Sequence, residues 1–311
     1  MADVVCIASW NADLVSRVPR PMARGETLMA SHFEISPGGK GSNAAVACAR
    51  QGAAVAVVAR VGSDDFGRMA LDLWQQEGMD TRHVEVAEGE PSGVAQILVY
   101  DDGDNSIAVA AGAGGGLNAA HAEAARTALQ SARVVMAPCE VPQAATMAAF
   151  RIAREAGVTT LLNPAPARPL PDDWLALCDL LTPNETEVRT LAGLSRQAPI
   201  DEAADALLKR GAQAVLVTLG RAGCALFRRG AEPVRVAGHT MQVTDTIGAG
   251  DTFTGTLAAA LARGLVLRDA MHWANAAAAL SVTGRGAIGG MPTRSAVQAL
   301  LGPELNRARP A

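Results

Sequence analysis

The sequence has no paired cysteines, no long apolar run and almost no lysine, and each lack narrows the field. Its five cysteines, Cys6, Cys48, Cys139, Cys178 and Cys224, are dispersed, and no two form a C-x-x-C pair. That argues against a zinc ribbon or a disulfide framework and fits reduced core thiols of a cytoplasmic protein. The five histidines show no ligand spacing. No apolar stretch approaches the roughly 20 residues a membrane span needs, so no membrane partner is expected. The opening Met-Ala-Asp-Val-Val lacks the basic and apolar regions of a signal peptide. There is no basic excess either: a net charge of −4 argues against nucleic acid as a partner. A G-x-G-x-x-G fingerprint is missing after the first strand, where Ser9-Trp10-Asn11-Ala12-Asp13-Leu14 stands, and this removes a nicotinamide-dependent dehydrogenase.

What is present is an alternation. The 311 residues, 49% of them hydrophobic, can bury a sizeable core. Strands are expected at 4–9, 53–60, 133–137, 158–162, 178–182 and 213–218. Helices are expected up to Gln51 and at 68–77, 118–130, 142–156, 184–192 and 201–210. This pattern predicts an α/β fold of three layers, α/β/α, around a central, mostly parallel sheet. A hairpin near 224–236 follows, then helices near 251–263, 268–283 and 294–301. No composition shift divides the chain, so 1–311 reads as one domain. Two polar, strand-bearing excursions, about 12–36 and 91–110, break the alternation and are expected to pair as a small β-sheet lid. The first contains a strand-like piece at 26–29, and the second is a hairpin around Asp101-Asp102-Gly103-Asp104. The glycine run 112–116 reads as a flexible loop or hinge.

Five motifs can carry chemistry. In Asp245-Thr246-Ile247-Gly248-Ala249-Gly250-Asp251, a glycine turn enters an apolar helix directly. Backbone N–H groups and the helix dipole there make an anion cradle, with Asp251 in the first turn as a base. The plainer reading is an aspartate near a helix cap. In Gly38-Gly39-Lys40-Gly41-Ser42-Asn43, glycines allow close approach of a ligand, and Lys40 and Asn43 offer donors. Lys40 is one of only two lysines among 27 basic residues. The loop is not a Walker A motif, because Gly41 stands where Ser or Thr is required. Asn11 and Asp13 follow the first strand and could fix a polyol or simply form a turn. Thr182-Pro183-Asn184-Glu185-Thr186-Glu187 could organise Mg²⁺ through water, or form a capping box. Thr218-Leu219-Gly220-Arg221-Ala222-Gly223 suits a nucleotide or a hairpin turn.

Together with Asn163-Pro164-Ala165-Pro166-Ala167-Arg168, these motifs resemble the ribokinase-like (PfkB) carbohydrate kinases in order and approximate spacing, over nearly the whole chain. The resemblance implies an ATP-dependent sugar kinase, with D-ribose phosphorylated at its 5-hydroxyl as the leading expectation. Asp251 would be the general base, and Gly248, Ala249 and Gly250 the anion hole. Asn11, Asp13, Gly39, Lys40, Asn43 and Glu140 would hold the sugar. Asn184, Thr218, Leu219, Gly220, Arg221, Ala222, Gly223, Gly250 and Asn275 would bind ATP, with Glu187 near Mg²⁺. A K⁺ activator would sit among Asp245, Ile247, Ser281, Gly284, Gly286 and Gly290. The family also implies a homodimer formed through the lid. Trp10, Arg24, Gly114, Gly284 and Gly290 depart from the family's usual residues. Trp10 and Gly114 keep open the same chemistry on another sugar, a sugar acid or a nucleoside, and Gly284 and Gly290 bear on the strength of K⁺ activation. A regulator that binds sugar or nucleotide without turnover is the reading from another class.

Overall fold

The computed structural model describes residues 1–302. Its strands are β1 (Val4–Ile7), β2 (Asn11–Arg17), β3 (His32–Gly38), β4 (Val55–Gly62), β5 (Asp80–Ala87), β6 (Val94–Val99) and β7 (Asn105–Ala110). They continue as β8 (Val134–Pro138), β9 (Thr159–Asn163), β10 (Leu180–Leu181), β11 (Ala214–Thr218), β12 (Cys224–Arg228) and β13 (Val234–Val236). Nine of them form one sheet in the order β13-β12-β11-β10-β9-β8-β1-β4-β5. It is parallel from β11 to β5, and the β12–β13 hairpin closes one edge antiparallel.

The central parallel strands β1, β4 and β8 are rich in valine and buried on both faces because both faces are covered. Val4 and Cys6 of β1 enter one core, with Phe253, Leu257 and Trp273 from the helices Ala249–Ala262 and Leu267–Ser281. Val5 and Ile7, turned the opposite way by the two-residue period, enter the other core with Phe150, Ile152 and Leu207. This is the three-layer α/β arrangement expected, with both cores meeting on the central strand.

The remaining strands, β3-β2-β6-β7, form a separate four-stranded sheet. Its outer pairs are antiparallel hairpins, while β2 and β6 run parallel. Phe33, Ile35, Ile107 and Val109 are exposed on it.

Several boundaries differ from those expected. Residues 26–29 form no strand: the Glu26 carboxylate is engaged by Arg20 and by the backbone N–H of Ala23, which pins a turn, so pairing begins at Arg17↔His32. The segment 178–182 contributes only Leu180–Leu181, because Cys178 still bonds back to Leu175. The helix at 118–130 breaks at Ala125 into Ala119–Ala124 and Arg126–Ser131. Gly112–Gly116 is a 3-10 helix that buries its own Ala113, not an open loop. Strand β5 was not anticipated; it pairs along β4 and ends the sheet.

Candidate active site

The C-terminal ends of β1, β8, β9, β10 and β11 deliver polar groups to one edge, as expected of an open α/β sheet. Strand β1 runs into Ser9, whose hydroxyl donates to Glu140 Oε2 at 2.7 Å. The backbone N–H of Lys40 donates to the same oxygen at 2.8 Å, and Gly41 N–H donates to Ser9 Oγ at 2.9 Å. Ser9 therefore ties β1, the glycine loop and Glu140 into one unit. Gly39 must be glycine, because a Cβ there would lie 2.8 Å from the Ser9 carbonyl oxygen. The loop leads into the helix Lys40–Arg50, which buries Asn43 in its first turn.

Across from this loop, Gly248 takes a left-handed φ of 76° and starts the helix Ala249–Ala262. No side chain caps that helix, although Ala249 N–H donates to the Thr246 carbonyl at 3.3 Å, and the single acidic residue of its first turn is Asp251. Asp251 is buried, and each of its oxygens accepts a side-chain hydrogen bond. Asn43 Nδ2 donates to Oδ2 at 3.0 Å, and Asn163 Nδ2 at the end of β9 donates to Oδ1 at 3.2 Å. One turn on, Thr254 shares a hydroxyl hydrogen bond of 3.0 Å with Thr182, which follows β10.

A cavity of about 190 Å³ opens here, lined by Lys40, Asn163, Thr182, Asn184, Glu187, Thr218, Thr246, Gly248, Ala249, Gly250 and Asp251. Most motifs read from the sequence thus converge on one cleft. Burial pushes the Asp251 carboxyl up to about 6, with Lys40 and the Asn43 donor pulling against it. Burial, then the neighbouring Glu140, raises Asp13 to about 7. Asp251 in turn, with Glu140, Glu187 and Asp13, holds the Lys40 ammonium above its ordinary value against the opposing effect of burial. Burial raises Glu187. Four carboxylates around one lysine form a site in which proton positions respond to whatever binds.

Asn11 and Asp13 lie on β2, in register with Gly38 and Ser36, above the glycine loop. Asn184 and Glu187 form the capping box: the Asn184 side chain accepts from Thr186 and Glu187 N–H, and Glu187 Oε2 accepts from Asn184 N–H at 2.8 Å. Glu187 lines the cleft as well, so the cap and a cleft position coincide in one residue. Thr218 lines the cleft, and Gly220–Ala222 continues as an exposed 3-10 turn, with Leu219 N–H donating to Gly223 O at 2.8 Å. Asn275 does not line this cleft. Its Nδ2 donates to the Ala237 carbonyl at 2.8 Å, beyond β13.

Asp245, Ile247, Ser281, Gly284, Gly286 and Gly290 come together beside Gly248. Asp245 accepts from Ile247 N–H at 3.0 Å and Gly286 N–H at 2.8 Å, and a Cβ on Gly284 would strike Gly290. Both Asp245 oxygens thus accept backbone N–H groups, and the Ser281 carbonyl accepts from Gly284 N–H at 3.4 Å. The reading of the sequence assigned no role to Asn163, Ser9 or Thr182. Ser9 and Thr182 sit just past a strand end and Asn163 is the last residue of β9, while Asn163 and Thr182 each open one of the sequence motifs.

The comparisons follow the geometry. The sequence profile described as "pfkB family carbohydrate kinase" matches residues 1–294. A ribokinase of Haemophilus influenzae is 38% identical over 291 residues, covering 93% of this chain and 94% of that protein. A ribokinase of Mus musculus is 37% identical over 292 residues, covering 92% and 90%. The solved structure of Arabidopsis thaliana ribokinase complexed with ribose and ATP superimposes with a TM-score of 0.91 at 32% identity, covering 96% of this chain and 98% of that one.

Proposed function

The chain belongs to the pfkB family of carbohydrate kinases, phosphotransferases with an alcohol acceptor, and from that premise we propose that it transfers the γ-phosphoryl group of MgATP to the 5-hydroxyl of D-ribose. The observation that carries the reading is the placement of Asp251. It is a buried carboxylate in the first turn of an uncapped helix, facing the cleft that Lys40, Asn184 and Glu187 also line. Relatives named ribokinase, and a neighbour whose structure holds ribose and ATP, favour ribose among the possible acceptors.

The residues take these roles. Asn11, Asp13, Gly39, Lys40, Asn43 and Glu140 hold the sugar, and Asp251 accepts the proton of its primary hydroxyl. The N–H groups of Gly248, Ala249 and Gly250, at the positive end of the helix, face the charge that develops on the phosphoryl group. Asn184, Thr218, Leu219, Gly220, Arg221, Ala222, Gly223 and Gly250 receive the nucleotide, and Asn275 borders it. The half-buried Glu187 carboxylate suits a hydrated Mg²⁺, which would supply charge neutralisation of the phosphates. The Asp245–Gly290 cluster is where K⁺ would sit, firming the loop entering the anion hole. The chain 1–311 works as one unit, with the four-stranded sheet as its lid. The exposed Phe33, Ile35, Ile107 and Val109 support a homodimer formed through that sheet. The five cysteines, free and buried, accord with a cytoplasmic setting.

The test is a coupled ADP-release assay with MgATP against sugars, sugar acids and nucleosides, in K⁺ and in Na⁺. Turnover selective for ribose and raised by K⁺ supports the reading. Selective turnover of another acceptor overturns the substrate and keeps the kinase. Loss of all transfer with ATP still bound points to a binder without turnover.

A further inference from the structure

The χ2 torsion of an aspartate is soft, so its carboxylate plane is not set by its own rotamer. Two donors from different parts of the chain meet Asp251: Asn43 from the first turn of one helix, and Asn163 from the last residue of β9. Among the described residues these two are the side-chain donors to the carboxylate. The helix that bears Asp251 has a separate tie to the sheet, the Thr182–Thr254 hydroxyl pair. Asn163 is therefore not needed to place the helix backbone, and its amide acts on the carboxylate itself. Asn163 is fixed in turn: β9 is held by Pro138↔Asn163 pairing, and Pro164 restricts Asn163 to extended backbone.

The geometry points to Asn163 as a positioning residue that locks the plane of the Asp251 carboxylate, so that its remaining lone pairs keep one fixed direction toward the acceptor hydroxyl. The inference rests on the reading of Asp251 as the base. A neutral amide suits this task better than a cation would. It orders the carboxylate and favours its ionised form without quenching its basicity. The charged and titratable groups around Asp251 are Lys40, Asp13, Glu140, Glu187 and the Cys6 thiol. They set its charge balance, while the two amides set its direction. Without Asn163 the carboxylate pivots on Asn43 alone.

The test uses Asn163→Leu, similar in size without a donor, and Asn163→Asp, the same shape without the NH₂. Expected is a fall in kcat of about 10–100-fold, a fraction of what general-base catalysis supplies, with KM for ATP and sugar changed by less than about threefold. The acid limb of the kcat profile should move to higher pH, further in Asn163→Asp because a like charge is added. The ¹³C titration of the Asp251 carboxyl, assigned by its loss in Asp251→Asn, should move with it. A purely structural role would lower kcat without moving either titration. Unmoved titrations overturn the proposal whatever happens to kcat, and the smaller Asn163→Ser, read the same way, decides it if the larger changes unfold the chain. Failure of the base assignment shows separately, as turnover retained in Asp251→Asn.

Discussion

The Asp13 carboxylate occupies the space where a side chain at Gly38 would begin. The two residues sit on neighbouring strands of the small sheet, with Asp13 in register with Ser36 and Asn11 with Gly38. The missing side chain of one is the room the other needs.

Gly38→Ala should therefore displace Asp13 and weaken acceptor binding. Loss of a charge-assisted hydrogen bond is worth about 1.5–3 kcal/mol, so KM for the sugar should rise roughly 10–100-fold. KM for ATP should stay near its original value. Steady-state kinetics with each substrate varied in turn checks this.

Asp251→Asn should fold and bind both substrates yet lose about 10²–10⁴ in kcat, the usual share of a general base. Single-turnover measurement of phosphoryl transfer gives the value, and near-normal turnover would sink the assignment.

The same substitution should change stability, with a definite sign. Burial raises the folded-state pKa of Asp251 from 3.8 to about 6. The native state then binds the proton more tightly than the unfolded chain, so stability falls as pH rises from about 4 through about 6. At neutral pH the ionised carboxylate costs on the order of 2–3 kcal/mol, at about 1.4 kcal/mol per pKa unit. Asp251→Asn should thus raise Tm at pH 7–8, and the gain should vanish near pH 4. Asp13, raised to about 7, adds to the same trend over a slightly higher window. Thermal melts across pH 4–8 test both.

Activity should run the other way. The base must be ionised, so kcat should decline as pH falls through about 6. A pH profile in which turnover persists unchanged at pH 5 would contradict the environment described for Asp251.

Gly255→Ala should destabilise the fold without touching the cleft. A Cβ there would strike the Ala44 carbonyl oxygen, where the helices Ala249–Ala262 and Lys40–Arg50 cross. Overpacking of this kind costs about 1–3 kcal/mol, read as a lower urea midpoint.

Much of this was legible beforehand, and the exceptions share a cause. Asp251 and Lys40 announce themselves because their chemistry and their glycines are contiguous in sequence. Asn163 does not, since its partner lies 88 positions away and the contact exists only once β9 abuts the helix. Asn184 and Glu187 were readable as a cap or as ligands; the cap is made, and it places Glu187 in the cleft. Strand boundaries failed where side chains intervened, as Glu26 does when its carboxylate binds Arg20 and turns the chain away from the expected strand at 26–29. Strand β5 escaped notice because its half-exposed residues lack the apolar runs of the central strands.

The parallel pairing of β2 with β6 has a mechanical meaning. Parallel neighbours cannot be joined by a tight turn, and the crossover between these two contains the helix Lys40–Arg50, β4 and β5. Six consecutive ladder pairs, Ala12↔Val94 to Arg17↔Val99, weld one hairpin to the other down the middle of the small sheet. Two hairpins attached at separate points could flap independently. Welded in this way they make a single plate, and a load applied at the tip of either is carried by both.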